Sequence, residues 1–307
     1  MYNIINHPLH KEVMKVTLKE AKEIRNEFSD KQTFSDEELF IFSEAMDFLI
    51  EKEKNPADMM FLGGVYYDLR HFDLALKYYE MASTYNYREA YSCLGYIWYY
   101  GRTGEKDYEK AFKCYSKAMD MGCLTSTYKV ADMYKNGYFV EKDYEKYKKM
   151  IIDLYPKVKE LNNVFDPIPE VYTRLAKIKI EEKDTEEALN LYSDAKDILA
   201  QRITINPFFG SLNIMKWLIE DVYTIVEFDN EYFDLYDLYH ALKKPMKVVF
   251  DYDDNTYEIE SVEENGECVI SFNGSWYRTL DDFFAKAKID GELLTTLYFD
   301  LYAFEVR

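Results

Sequence analysis

The hexapeptide Glu105-Lys106-Asp107-Tyr108-Glu109-Lys110 recurs unchanged as Glu141-Lys142-Asp143-Tyr144-Glu145-Lys146, a step of 36 residues. A fixed period of this size marks stacked supersecondary units, none of which can bury its apolar face alone. The match extends outward from the hexamer. Gly101 pairs with Gly137 and Leu94-Gly95 with Val130-Ala131, and one step back Ala111, Tyr115 and Ala118 pair with Ala75, Tyr79 and Ala82. A more distant copy, Glu182-Lys183-Asp184-Thr185-Glu186-Glu187-Ala188 followed by Tyr192 and Ala195, keeps the spacing that runs from Glu105 to Ala111, Tyr115 and Ala118.

Each copy reads as two helices. Asn55-Pro56 is a start signal, an N-cap followed by a residue whose missing N–H costs nothing at the first helical position. The leading helix of the first repeat carries Met59, Leu62, Gly63 and Tyr66, and the second helix carries Ala75, Tyr79 and Ala82. In the next repeat the matching residues are Tyr91, Leu94, Gly95 and Trp98, then Ala111, Tyr115 and Ala118. Large rings alternate with Gly and Ala, as two closely approaching helical backbones require.

Upstream, residues 11 to 28 place Val13, Val16, Ala21, Ile24 and Phe28 on one helical face. Ser35 and Glu38 then form a capping box ahead of Leu39, Phe42, Ala45, Met46, Leu49 and Ile50. Two such helices would cover the apolar end of a stack.

These residues resemble the tetratricopeptide-related repeats of the Sel-one-like subclass. The resemblance rests on Leu94-Gly95, on Gly101 ending the leading helix, on Asp107 opening the second, and on Ala111, Tyr115, Ala118 and Gly122; it covers about residues 56 to 200. From Leu94 to Ala111 and from Val130 to Tyr147 is 17 residues, the longer loop of that subclass; from Leu62 to Ala75 and from Leu175 to Ala188 is 13, closer to an ordinary tetratricopeptide. The third repeat departs from the pattern. Tyr147 and Leu154 stand where Ala is expected, so its second helix should pack irregularly, and Pro156 should end or bend it.

Asn162 to Pro169 is a break before the fourth repeat, and Asn206-Pro207 is another. Residues 211 to 226 and 230 to 242 read as two more helices, the second with Leu235, Leu238, Tyr239 and Leu242 inward, and Lys243-Lys244-Pro245 closes the helical region. The period then changes. Lys247 to Asp251, Tyr257 to Val262, Cys268 to Phe272 and Trp276 to Thr279 read as a four-stranded antiparallel meander with turns at Asp253-Asp254-Asn255, Asn265-Gly266 and Asn273-Gly274. Thr279 and Asp282 start a helix with Phe283, Phe284, Ala287 and Ile289 as its apolar residues and Gly291 as its stop; Leu293 to Val306 fits either a helix or a strand.

Composition narrows the function. The net charge is −19, and residues 211 to 307 hold 21 Asp and Glu against 8 Lys and Arg, a net of −13 that leaves −6 for the first 210. Such a field repels phosphate backbones, so nucleic acid is not the expected partner. Cys93, Cys114, Cys123 and Cys268 have no CxxC spacing, and His7, His10, His71 and His240 are scattered, so neither a metal nor any other cofactor is expected. The start of the chain lacks a secretory pattern and no apolar run is long enough to span a bilayer, so the expected compartment is the cytoplasm, with no membrane partner. GxGxxG, P-loop, GxSxG and HExxH signatures are missing, and no enzyme is expected.

Two surfaces are candidates for binding. Ser92, Tyr96, Tyr99 and Tyr100 run at helical spacing beside the buried stripe of their helix, with Met60 and Tyr67 in the first repeat and Tyr128, Asp132 and Lys135 in the third at matching positions. The resemblance implies that this face lines a groove for a peptide or protein segment. Tyrosine suits that role through large area, low entropy cost and a hydrogen-bonding tip. The other surface is an acidic run, Glu227, Asp229, Glu231, Asp234 and Asp237, extended by Asp253 and Asp254, which would dock a basic surface or serve only as a solvated face. Asp251 to Asn255 lacks the glycine and the distal glutamate of an EF-hand calcium loop.

The expected architecture is mainly α, a tetratricopeptide-like α/α repeat solenoid followed by a small α+β domain with an antiparallel meander. Its parts would be capping helices in residues 1–54, repeats in 55–200, further helices in 201–244 and an acidic α+β domain in 245–307. The expected function is a non-enzymatic bacterial scaffold that holds a peptide or protein. The alternative is an acidic inhibitor or immunity protein that covers the basic surface of a toxin or nuclease.

Overall fold

The computed structural model describes residues 16–29, 31, 33–205, 209–222, 224–225, 238–239, 241–264, 267–297 and 301–306. The chain divides into two compact units, Met1–Asp143 and Tyr144–Arg307. The expected solenoid of helix pairs and the small antiparallel region after it are both present.

In the first unit α1 (Leu18–Glu27), α2 (Asp36–Glu53), α3 (Pro56–Asp68), α4 (Phe72–Ser83), α5 (Arg88–Tyr100), α6 (Tyr108–Asp120) and α7 (Leu124–Asn136) follow one another, each packed on the next. α1 begins at 18 rather than 11. Thr17 caps it through a capping box with Glu20, which leaves Val16 ahead of the cap, and residues 11 to 15 lie outside the described residues. Ser35 and Glu38 form the expected box, and Leu39, Phe42, Ala45, Met46, Leu49 and Ile50 are all buried. Asn55 accepts from the Ala57 amide, with Pro56 behind it in the first turn. Asp58, nearly inaccessible, takes the Arg25 guanidinium at 2.5 Å and the Asn55 amide at 3.1 Å, which ties α1 to α3.

The 36-residue step reappears in the backbone. The Arg102 amide donates to the Ile97 carbonyl and the Tyr138 amide to the Met133 carbonyl, both at 3.0 Å, while Asp107 and Asp143 donate to Trp98 and Tyr134. The first of these bonds closes a helix end on Gly101 at φ 64° and the second on Gly137 at φ 71°. At Gly101 a Cβ would lie 2.9 Å from the Lys106 nitrogen, so the returning loop also needs the missing side chain. The shorter loops keep the closing bond: His71 donates to Tyr66 and Asp184 to Lys179. The helix pair is therefore closed at the same two positions whichever loop length joins it.

In the second unit α8 (Tyr144–Lys159), α9 (Ile168–Glu181), α10 (Thr185–Ile205) and α11 (Phe209–Val222) pack in succession. The expectation that Pro156 would end or bend α8 is corrected in its first part, since the helix runs on to Lys159. Pro156 and Ile152, whose carbonyl loses its usual donor, are both exposed, so water can take that bond on the outer face. Tyr147 and Leu154 are fully buried despite their size. Ile168 and Pro169 already belong to the first turn of α9, where proline is tolerated. Of the expected helix 230–242, the residues up to 237 and His240 lie outside the described residues; Leu238 and Tyr239 are helical and buried.

The sheet that follows has five strands in the order β4-β3-β2-β1-β7, every neighbouring pair antiparallel: β1 Met246–Tyr252, β2 Asn255–Glu264, β3 Glu267–Phe272, β4 Ser275–Tyr277 and β7 Tyr302–Val306. The expected four-stranded meander thus gains a fifth strand from the ambiguous C-terminal stretch, which also supplies a short helix, α13 (Leu294–Leu297). Tyr252 faces Asn255 across a two-residue turn in which Asp253 and Asp254 both have positive φ, the handedness that matches strand twist. Gly291 does not stop a helix. α12 (Leu280–Lys286), capped by Thr279, ends earlier, and Lys288–Ile289 (β5) pairs with Glu292–Leu293 (β6) around an Asp290-Gly291 turn with both φ values positive. Ala287 and Ile289 are nevertheless buried, as their apolar character demands.

Candidate functional site

The leading helices α3, α5 and α7 of the first unit bring the expected face together. Tyr67 of α3 meets Tyr96 of α5 edge-on at 6.0 Å, and Tyr96 meets Tyr100 at 4.3 Å. Tyr99 touches Tyr100 at 4.9 Å, Tyr108 at 5.5 Å and Tyr138 at 5.9 Å, while Tyr108 and Tyr138 stack at 4.4 Å. Ser92 accepts from the Ser126 hydroxyl at 3.1 Å and marks where α5 and α7 approach. Met60 is half-buried against the core, Tyr128 is almost fully buried, and Asp132 is half-buried. Of the eight expected residues, Tyr100 is the most exposed, at 37%.

Two cations sit among these rings. Arg102 donates from Nε to the Tyr67 hydroxyl at 2.9 Å, and its guanidinium lies 5.3 Å from the Tyr100 ring, 5.6 Å from Tyr96 and 5.7 Å from Phe72. Lys129, only 8% exposed, donates to the Tyr100 hydroxyl at 3.0 Å and lies within 5.2 to 5.7 Å of the Tyr96, Tyr99, Tyr100 and Tyr128 rings. Each such contact offsets part of the cost of taking a cation out of water.

Burial shapes the titration of the phenols. It pushes the Tyr67 hydroxyl up to about 12, with a further rise from Tyr96, while Arg102 pulls the other way. Tyr99 is raised by burial and then by the Asp132 carboxylate. Tyr115 is raised by burial and then by its neighbours Tyr100, Tyr128, Tyr96 and Tyr99, and its hydroxyl has no hydrogen-bond partner among the described residues. All of these remain protonated donors at neutral pH.

Arg102, Tyr108, Tyr115 and Tyr138 were missed as members of this face, because three of them lie outside the helical stripe that periodicity detects. One signal was available. Arg102 and Tyr138 are one 36-residue step apart, each directly after the left-handed glycine where the chain turns back.

The acidic candidates fare differently. Glu227, Asp229, Glu231, Asp234 and Asp237 lie outside the described residues, as do His7, His10 and His240. Asp253 and Asp254 form the exposed β1–β2 turn. Among the described residues no group of His, Cys, Asp and Glu could hold a metal ion, and no helix is long and apolar enough to cross a membrane.

One family model agrees with this geometry. The model of the Sel1 repeat matches residues 57–84, 88–123 and 125–146. Among solved structures, a Sel1 repeat protein from Oxalobacter formigenes is 20% identical, with 58% of this chain and 67% of that one covered and a TM-score of 0.45. A protective antigen present in uropathogenic Escherichia coli strains is 15% identical over 66% of this chain, at a TM-score of 0.31; the match spans 53% of its length, about half. The C-terminal part of a TPR repeat-containing protein from Cytophaga hutchinsonii is 15% identical, covering 70% of this chain and 92% of that one, at a TM-score of 0.35. No curated protein matches the sequence. Both the recurring loop closures and the family match converge on one statement: residues 57–146 of this chain are Sel1 repeats.

Proposed function

We propose that this protein is a non-enzymatic interaction scaffold of the cytoplasm whose first unit holds a segment of a partner protein on the face formed by α3, α5 and α7. Repeats of this type typically mediate protein–protein interaction, which supports the class of function. The single observation that carries it is the continuous run of tyrosines from Tyr67 through Tyr96, Tyr100 and Tyr99 to Tyr138. Rigid amphipathic rings of that kind supply contact area at small entropic cost, as binding hot spots do.

The test is capture of partners from the native cell by the full chain and by a Tyr96→Ala/Tyr100→Ala variant, read by mass spectrometry. Loss of a specific partner in the variant supports the scaffold. Unchanged capture by the variant, together with loss when Asp229, Glu231, Asp234 and Asp237 are neutralised, would favour the acidic inhibitor instead. That inhibitor should also lose association rate steeply with salt, since long-range steering is screened within about 10 Å at 0.1 M.

A further inference from the structure

The sheet of the second unit buries one of its two faces. Val248, Phe250, Ile259, Ile270, Phe272 and Tyr277 are inaccessible or nearly so, and Phe283 of α12 meets Phe272 edge-on at 5.9 Å and Tyr277 at 5.4 Å. Strand alternation sends the residues between them to the opposite face. A face that met only water would be polar along its whole width. This one carries Val262 opposite Val269, both half-buried, and Trp276, which is 62% exposed.

One row across the outer face gives it a shape. Trp276 on β4 stands opposite Ser271 on β3, and Ser271 stands opposite Glu260 on β2. The small residue in the middle leaves a slot between an indole and a carboxylate two strands apart, about 10 Å at the backbone. Neither wall is engaged within the chain. Among the described residues no cation or ring lies against Trp276, and Glu260 has no hydrogen bond or ion pair; Lys247, its neighbour on β1, is held by Glu258 at 2.8 Å. Trp98 is the contrast, since Lys110 already lies 4.1 Å from its ring centre.

We infer that the outer face of the sheet docks a partner protein segment through an arginine side chain seated in this slot. The guanidinium stacks on Trp276, donates to the Glu260 carboxylate and the Ser271 hydroxyl, and leaves apolar neighbours of the arginine to lie over Val262 and Val269. A planar guanidinium can stack on a ring and pair with a carboxylate at the same time, which a lysine ammonium does less well. Charge complementarity favours the same occupant: residues 211 to 307 carry a net of −13, a field that draws a basic segment and repels an acidic one. Arg278, exposed just after β4, is the one nearby cation that opposes it. The site belongs to the second unit and does not depend on the tyrosine face of the first.

The experiment uses the full-length protein and four fluorescein-labelled nonapeptide pools with the same Val/Ile-rich flanks and a central Arg, Lys, Gln or Glu, with binding followed by anisotropy. The Arg pool should bind at least about tenfold more tightly than the Gln pool, the scale of one charge-assisted hydrogen bond, with the Lys pool between them. Trp276→Ala and Glu260→Gln should each remove most of that preference. Ser271→Ile, a β-branched residue suited to a strand, should block binding by filling the slot. Arg278→Gln should tighten the Arg pool by about twofold, the effect of removing one exposed like charge. Circular dichroism checks that each of these surface variants is folded, and Tyr96→Ala/Tyr100→Ala should leave binding of the Arg pool unchanged. Equal binding of the Arg and Gln pools, or of the Arg and Lys pools, would overturn the inference. So would preference for the Glu pool, failure of every pool to bind, or an Arg preference that survives both Trp276→Ala and Glu260→Gln.

Discussion

Tyr115 in the first unit and Tyr192 in the second occupy the same repeat position and are equally buried, yet their hydroxyls meet different fates. Tyr192 donates to Asp221 of α11 at 3.1 Å, and that carboxylate also holds Lys177 at 3.0 Å. Tyr115 has no such partner. The small residue at the matching position of the preceding helix differs too: Gly95, which lies beneath Tyr115, has Ala176 as its counterpart in the second unit. A Cβ on Gly95 would stand 2.5 Å from the Tyr115 ring, closer than real contacts allow. The repeat pattern thus dictates that a ring is buried here, while the surroundings decide what its polar end does. In the first unit the approach is steric. In the second it is anchored by polar groups, and Arg202 is the clearest case: 3% exposed, it bonds the Glu170 carboxylate at 2.8 Å and the carbonyls of Val164 and Asp166 in the loop ahead of α9.

The largest expected effect tests that anchor. Arg202→Met should destabilise the protein by about 3–5 kcal/mol, because it leaves a buried carboxylate and two carbonyls unmatched, whereas Arg202→Met/Glu170→Leu should recover much of the loss. Urea unfolding of both variants measures this, and equal stability of the two would mean the pair is not acting as a unit. Next comes the steric side. Gly95→Ala should cost about 1–3 kcal/mol by overpacking despite the better helix propensity of alanine. Gly64→Ala, two helices earlier in α3 with nothing within 4 Å of its Cβ, should instead stabilise by about 0.5–1 kcal/mol.

The tyrosine pair gives a smaller contrast of opposite sign. Tyr192→Phe should destabilise by about 1 kcal/mol, whereas Tyr115→Phe should be neutral or stabilising by a similar amount, since it removes a buried donor that has no acceptor. Matching losses in both variants would show that Tyr115 finds a partner in solution. The smallest effect concerns the capping box of α2. Glu38 is held down to about 2 by Lys31 and by the amide and hydroxyl of Ser35. A lowered carboxylate adds stability that is complete above its ordinary value of 4.5 and disappears as pH falls toward about 2. NMR titration of Glu38 should show that midpoint, and Ser35→Ala should move it back toward 4.5.

Much of the repeat segment was legible because its signals are local. Asn55-Pro56, Ser35 with Glu38, Asp107 and Gly101 act through bonds within a few residues of themselves, and each does so in the structure. Gly291 misled because glycine serves a helix stop and a hairpin turn alike, and the choice between them lay in the pairing of Lys288–Ile289 with Glu292–Leu293. Pro156 misled as a helix stop because its cost depends on whether the orphaned carbonyl faces water. The tyrosine face was half legible. Helical spacing picked out Tyr96, Tyr99 and Tyr100, but Arg102 reaches them from a loop and Lys129 from another helix.

The sequence by itself determined the helix pairs, their caps, their 36-residue step and the rings that must be buried, since these follow from periodicity and from backbone groups that need near neighbours. Only the tertiary structure decided that two cations lie on the tyrosine faces, that Tyr115 lacks an acceptor where Tyr192 has one, and that Tyr302–Val306 completes the sheet beside β1. Those outcomes depend on which side chains meet across long separations in the chain, and no local spacing encodes such meetings.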